Sequence, residues 1–316
     1  MNSHFFDFDQ PTPLVKTCFQ LNPCKRIHFQ IKRDDLIDKL ISGNKWRKLK
    51  YNFKQFDQKK FKGIASFGGA FSNHIAALSA AGKRADIPTI GFIRTHEIDL
   101  NNPTLSLAKT NGMQLIALSR EAYRNRHNSE FINSLKQAYP DYLFVPEGGS
   151  NDLAALGLAE LVEELKQQSI HSEHHVIACA IGSGGTISGM LDAFPNMKFI
   201  GVAAVKDTPL LEKLTVTYGD RLTIVSDNLF GGYGKTTTEL NQFCLDFYHQ
   251  TQIPIEPIYT GKLLHTLMHN YDDLVNEGKS LVVIHTGGLQ GLRGLNYRHQ
   301  YQSPLWNDLL SLTDVL

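Results

Sequence analysis

The chain has 316 residues, 42% of them apolar and 20% charged, with a formal net charge of +1. That length buries a full core and suits two domains of ordinary size. The near-neutral balance argues against a nucleic-acid or acidic-membrane partner, because such binding normally leaves a basic excess.

The opening residues "MNSHFFDFDQPTP" carry no basic region followed by an apolar core, and no apolar run approaches a membrane span, so a cytoplasmic protein is expected. Cys18, Cys24, Cys179 and Cys244 lack CxxC spacing, which points to reduced structural thiols and no metal site.

The first stretch with a chemical signature is "SGNKWRKLK" at 42–50. Gly43 permits unusual backbone angles and Asn44 is a favoured helix cap, placing Lys45 in a first helical turn. An ammonium there opposes the helix dipole. Two readings stay open: the surface start of a Lys-rich helix, or a lysine held for chemistry.

From about Lys62 onward, short apolar runs alternate with helical patterns, the signature of parallel strands joined by helices. "GIASFGG", "PTIGFI", "MQLIAL" and "DYLFVPEGG" read as strands, with helices at about 72–85, 103–111 and 129–138. "SREAYRNRHNSE" at 119–130 reads as a polar loop. After Gly149 the alternation restarts: helix 153–168, strand "HVIACAIGSGG", helix 185–193, strand "MKFIGVAAV", a helix near 208–218 and strand "LTIV". Helices at 235–250 and 261–276 and the buried-type strand "LVVIHTGG" complete it. The expected fold class is α/β, with two open twisted parallel-sheet units in succession. Ligands bind such sheets beyond the carboxyl ends of the strands.

Several strands run through glycine into a helix start. "SFGGAFSNHIAALSAAG" leads to Ser72, Asn73 and His74, where free backbone N–H groups suit a carboxylate or phosphate, or where Ser72 or Asn73 simply caps the helix. In "AIGSGGTISGM", Gly182, Gly184 and Gly185 let backbone N–H groups converge on one anion, with Ser183 and Thr186 adding hydroxyls. The motif matches neither a dinucleotide fingerprint nor a P-loop, which leaves a cradle for a single phosphate or a tight turn. "DNLFGGYGK" brings Tyr233, "PIEPIYTGK" brings Tyr259 and Thr260, and "VIHTGGLQG" ends a strand with Thr286. A lysine, a phosphate cradle, a carboxylate site and tyrosines together are the parts pyridoxal phosphate requires.

With "IKRDDL", "SGNKWRKL", "SNH", "PEGGSN", "AIGSGGT", "YTGK" and "HTGG" in order, nearly the whole chain resembles the D-cysteine desulfhydrase and 1-aminocyclopropane-1-carboxylate deaminase family. These are fold type II pyridoxal-phosphate enzymes, related to the tryptophan synthase β subunit. The resemblance implies that Lys45 is the Schiff-base lysine, that Lys48 and Gly182–Thr186 hold phosphate, and that Asn73 contacts the ring hydroxyl. Ser72, Tyr233 and Tyr259 would face a small amino-acid substrate, whose carboxylate rests on N–H groups from Ser72 through Asn73 and His74 to Ile75. Residues 1–47 and 155–316 would form a large domain and 48–154 a small one, with the cofactor between them and a homodimer as the expected assembly.

Two departures from the family pattern bear on the reaction. Members commonly carry Gln before Ser-Asn-His and Arg-Gln soon after, whereas here the neighbours are Phe71 and Ile75-Ala76-Ala77, which favours a larger or more apolar substrate. Ring-opening deaminases are similar to one another in having Glu and Leu where this chain has Thr260 and Thr286. A carboxylate facing the pyridine nitrogen keeps it protonated and strengthens the electron sink; a threonine does not. The expected reaction is therefore β-elimination: the freed Lys45 amine removes the α-proton, Tyr259, Tyr233 or Ser72 assists the leaving group, and a 2-oxo acid and ammonia result. The alternatives are ring opening of the cyclopropane acid, a racemase or dehydratase, and a pyridoxal-phosphate-binding protein without turnover.

Overall fold

The computed structural model describes residues 6–7, 10–227, 230–300 and 303–314. It contains two compact units. One comprises the described residues before Gln10 with Lys45–Gly157, the other Gln10–Asn44 with the described residues from Leu158 onward.

The chain opens with an antiparallel hairpin, β1 (Leu14–Asn22) and β2 (Lys25–Lys32), which belongs to the second unit. The second strand, "KRIHFQIK", alternates apolar and polar residues and buries Ile27, Phe29 and Ile31, the period-2 pattern of a half-buried sheet, whereas "LVKTCFQLN" does not alternate. The reading that begins strands at Lys62 misses this hairpin. Helix α1 (Asn44–Lys54) follows and starts the first unit.

The first unit continues as β3 (Gly63–Gly69), α2 (Asn73–Ala85), β4 (Thr89–Arg94), α3 (Pro103–Thr110), β5 (Gln114–Leu118), α4 (Arg120–Arg124), α5 (Ser129–Ala138) and β6 (Tyr142–Phe144). Its four strands are parallel in the order β5-β4-β3-β6. Ala65, Phe67, Ile90 and Phe92 are buried in one core, with the Phe67 and Phe92 rings stacked at 5.2 Å. The 119–130 segment is more structured than its polarity suggests. Ser119 and Asn128 cap α4 and α5, and buried Tyr123 donates to Glu147 at 2.6 Å.

After α6 (Asp152–Gln167) come β7 (His175–Ile181), α7 (Gly185–Ala193), β8 (Phe199–Ala203), α8 (Thr208–Tyr218), β9 (Leu222–Val225), α9 (Thr238–Thr251), α10 (Thr260–His269), α11 (Tyr271–Leu274), β10 (Ser280–Ile284), α12 (Gly291–His299) and α13 (Pro304–Ser311). The helix expected over 261–276 is broken at Asn270, whose φ of −119° and ψ of 28° leave the helical region. The helix expected from 235 begins at Thr238, where Thr237 accepts from the Leu240 amide. The six-stranded sheet has the order β1-β2-β10-β7-β8-β9, parallel except for β1.

Successive residues of β10 point to opposite faces of that sheet, and both faces are apolar. Leu281 and Val283 join the core built from α9 and α10 with Phe247, Leu263 and Leu267. Val282 and Ile284 join that of α6 and α7 with Leu161, Ile187 and Leu191. Helices on both faces explain the near-continuous apolar runs that mark these strands in sequence.

In each unit the connections reverse direction at one point. In the first unit this lies between β3 and β6; in the second, between β7 and β10. Loops at the carboxyl ends of such strand pairs splay apart and leave a crevice. The segments leaving β3, β6, β7 and β10 are Ala70–Ser72, Val145–Asn151, Gly182–Gly184 and His285–Gln290, which contain most of the motifs singled out above.

Candidate active site

In the first unit, Lys45 occupies the opening turn of α1. Burial lowers its amine to a pKa of about 8, and the charge of Glu147 opposes that shift. Glu147 is itself fixed by the Tyr123 hydroxyl and an ion pair with Arg126. Lys48, one turn further along α1, is buried and donates from Nζ to Ser150 Oγ at 3.0 Å.

Ser72 is the N-cap of α2 and its Oγ accepts the Ile75 amide at 3.4 Å, so the capping reading holds for this residue. Asn73 opens the helix. The Ile75 side chain is buried, lying where a Cβ added at Gly68 would strike it at 2.4 Å. Asn102 Nδ2 ties down the preceding turn through the Ala70 carbonyl at 3.0 Å.

His74 is buried, with Nε2 2.8 Å from Ser66 Oγ, which also lies 3.3 Å from the Pro146 carbonyl. A serine that donates to this carbonyl accepts from Nε2–H, which leaves Nδ1 with its lone pair. Nδ1 is buried without a protein hydrogen-bond partner. Burial first, then the charges of Lys45 and Lys48, hold the imidazole neutral with a pKa well below its ordinary value.

In the second unit, the loop Gly182–Gly184 joins β7 to α7. Gly184 is the N-cap with φ of +78° and no side-chain capping bond. The first-turn amides of α7 have no acceptor within their own helix, and with the helix dipole such a start is able to receive an anion. Thr186 Oγ1 accepts from Asn44 Nδ2 at 2.9 Å, and the Asn44 amide donates to Thr286 O at 3.3 Å. Asn44 thus reaches sideways to the glycine loop, a use that its reading as a helix cap does not anticipate. Gly43 lies directly on this contact. Its φ is +59°, and an added Cβ would sit 1.9 Å from Thr286 O. Glycine at 43 is required by both conformation and space.

Thr260 opens α10, and its Oγ1 is buried without a protein partner. The helix start is organised by Glu256, which sequence reasoning overlooked within "PIEPIYTGK". Its carboxylate accepts the amides of Ile258, Tyr259 and Thr260, the last at 2.9 Å. Burial nevertheless raises the Glu256 pKa to about 8. Tyr259 lies beside the glycine loop, where a Cβ at Gly182 would come within 3.1 Å of its ring, and its ring centroid is 6.0 Å from that of Tyr233. In the Tyr233 segment, Asn228 and Leu229 lie outside the described residues.

His285, also overlooked, is buried at the end of β10. It accepts the Gly287 amide at Nδ1 (3.2 Å), and its Nε2 lies 2.8 Å from Pro254 O. A ring that donates from Nε2 and accepts at Nδ1 satisfies both contacts and fixes the turn after Thr286. The signal for both overlooked residues was a polar side chain inside an apolar run, which periodicity treats as noise.

The candidate residues thus gather into two sets. Lys45, Lys48, Ser72, Asn73, His74 and Ile75 lie in the first unit; Gly182, Ser183, Gly184, Gly185, Thr186, Tyr233, Tyr259, Thr260 and Thr286 lie in the second. Lys32, another buried lysine, is committed to structure, donating to Thr12 O, Glu164 and Gln168 at 2.7, 2.7 and 2.9 Å. Among the described residues no group of His, Cys, Asp or Glu side chains could hold a metal ion, and no helix is long and apolar enough to cross a membrane.

The first unit thus holds a lysine amine lowered to about 8 and an unpartnered buried His74 Nδ1, and the second holds an uncapped glycine-led helix start and an unpartnered buried Thr260 Oγ1. The chain belongs to the pyridoxal-phosphate dependent enzyme family, whose model matches residues 6–287. Its cofactor is pyridoxal phosphate, and its two parallel-rich sheets are those of the tryptophan synthase β-like enzymes. It is similar to a Thermotoga maritima protein provisionally named a 1-aminocyclopropane-1-carboxylate deaminase, at 29% identity over 90% of this chain and 95% of the relative. It is also similar to the mitochondrial bifunctional D-cysteine desulfhydrase/1-aminocyclopropane-1-carboxylate deaminase of Arabidopsis thaliana, at 28% identity over 83% of this chain and 72% of the relative. A crystal structure described as an ACC deaminase homologue superimposes with a TM-score of 0.75 at 25% identity, covering 96% of this chain and 94% of the other.

Proposed function

We propose that this pyridoxal-phosphate enzyme performs β-elimination on a small amino acid of the D-cysteine type, yielding a 2-oxo acid and ammonia. The observation that carries the choice is Thr260: a buried hydroxyl without a protein partner opens α10. By resemblance that position would face the pyridine nitrogen, where a hydroxyl could share a hydrogen bond but could not supply negative charge.

When bound, pyridoxal phosphate supplies the electron sink that makes the α-proton acidic. Lys45 would carry the cofactor at Nζ, and its free amine would take that proton. An amine with a pKa of about 8 is suited to this work near neutral pH. By resemblance Lys48 and Gly182–Thr186 would hold the phosphate and Asn73 the ring hydroxyl, and the first-turn amides of α2 at Asn73 and His74 would receive the substrate carboxylate. Ile75 contributes backbone placement, since its amide is taken by Ser72. Tyr259, with Tyr233 and Ser72, protonates or orients the departing group. We further propose a homodimer working in the cytoplasm.

A second reading, ring opening of 1-aminocyclopropane-1-carboxylate, is favoured by the names of the relatives above. Assay of ammonia, 2-oxo acid and sulfide across D- and L-amino acids and the cyclopropane acid separates the two. Sulfide and pyruvate from cysteine support elimination; 2-oxobutyrate as the principal product supports ring opening.

A further inference from the structure

We propose that Lys262 is a positioning residue, whose Nζ holds the Gly231–Gly234 turn by the Gly232 carbonyl and thereby sets Tyr233 beside Tyr259. The proposal rests on the reading of the two tyrosines as substrate-facing and adds to it the part that fixes one of them.

Tyr233 stands in a backbone with little stiffness of its own. Gly231, Gly232 and Gly234 have φ of +85°, +100° and +62°, and Tyr233 itself is 39% exposed, so side-chain packing does little to hold it. One backbone amide and two side chains hold the turn: the Lys235 N–H donates to Gly232 O at 3.3 Å, and the side-chain contacts come from Lys262 and Arg298. Lys262 Nζ donates to Gly232 O at 2.7 Å and Arg298 Nη1 to Gly234 O at 3.3 Å. The Lys262 contact is the shortest, and its side chain comes from the interior, with no surface exposed.

Lys262 also sits in the first turn of α10, the turn whose amides are gathered by Glu256. One helix start therefore sets both tyrosines: Glu256 fixes the Tyr259 backbone and Lys262 fixes the Tyr233 turn. Their rings lie 6.0 Å apart. Burial lowers the Lys262 amine to about 8, with Glu256 opposing the shift, which fits an amine placed in the interior for a directed contact. A lysine in the first turn opposes the helix dipole, so solubility does not account for its position.

The test is hydrogen exchange of the cofactor-loaded protein without substrate, in wild type and Lys262→Met. The proposal predicts at least tenfold faster exchange for the amides of residues 231–234, with amides of β7 and β10 unchanged. With the substrate that the screen identifies, kcat/KM should fall while cofactor stays bound, and Lys262→Met in a Tyr233→Phe background should lose little more than Tyr233→Phe alone. Lys262→Gln, which retains a donor at shorter reach, provides the same comparison where the Met variant does not fold. Unchanged exchange at 231–234, or additive losses in the double variant, overturns the proposal. Because exchange is read without turnover, an enzyme inactive on every amino acid would contradict the elimination reading and leave the Lys262 contact standing.

Discussion

Asn44 Nδ2 donates to Thr186 Oγ1 at 2.9 Å, joining two residues 142 positions apart. The residue immediately before Lys45 is thereby tethered to the loop that resembles the family's phosphate cradle. Replacing Asn44 by Ala removes a bond worth about 1 kcal/mol net, so cofactor should bind ~5-fold more weakly while the fold persists. Equilibrium dialysis of cofactor against wild type and variant measures the change; equal affinity would show that the tether does not serve the cofactor.

Gly43→Ala should be far more damaging than its size suggests. The new Cβ would lie 1.9 Å from Thr286 O, on a backbone with φ of +59°. Strain in such conformations costs about 1–3 kcal/mol before the clash is counted. A markedly lower thermal midpoint and poor cofactor retention are expected, whereas Gly112→Ala, whose Cβ would meet nothing within 4 Å, serves as the strain-only control at φ of +88°.

The cofactor-free protein should show a pH dependence traceable to Lys45. The folded amine titrates near 8 and the unfolded one near 10.5, so between these values the unfolded chain binds more protons and stability rises with pH. The cost of burying the ammonium is complete below about 8 and is relieved as pH climbs through this window. Subtracting the pH profile of Lys45→Met from that of wild type isolates the contribution from those of Lys262 and Glu256, which are also shifted. The rate of cofactor capture, which needs the neutral amine, should follow an apparent pKa near 8; one near 10.5 would contradict the shift.

Much of this was legible because parallel strands covered by helices on both faces leave continuous apolar runs, and because glycines end several of them. β3, β4, β7, β8 and β10 announce themselves this way. The β1–β2 hairpin was less visible, since its half-buried strands interrupt apolar residues with Lys, Thr, Gln and His. Glu256, Lys262 and His285 act through partners distant in the chain or through backbone amides, and neither relation leaves a periodic trace. Lys45 was legible as a question, because glycine, a cap-forming residue and a misplaced charge stood together. The contacts of Gly43 and Asn44 with Thr286 and Thr186 explain why those two residues precede it.

Thr260→Glu with Thr286→Leu tests the control of reaction type. If Thr260 faces the pyridine nitrogen as proposed, a carboxylate there would strengthen the sink, and the double variant should lose elimination and gain some ring opening. It should also be less stable than wild type, because the new carboxylate is buried one turn from Glu256, and like charges there raise each other's pKa. Efficient ring opening by the unaltered protein, at a rate comparable to its best elimination, would show that the threonines do not govern the chemistry.

Which lysine carries the cofactor can be read directly. Borohydride reduction of the cofactor-loaded protein, followed by peptide mapping, should leave the pyridoxyl mass on Lys45 alone, and Lys45→Ala should take up none. A reduced cofactor on Lys48, Lys262 or any other lysine, or a Lys45→Ala protein that still retains a reducible linkage, would contradict the account.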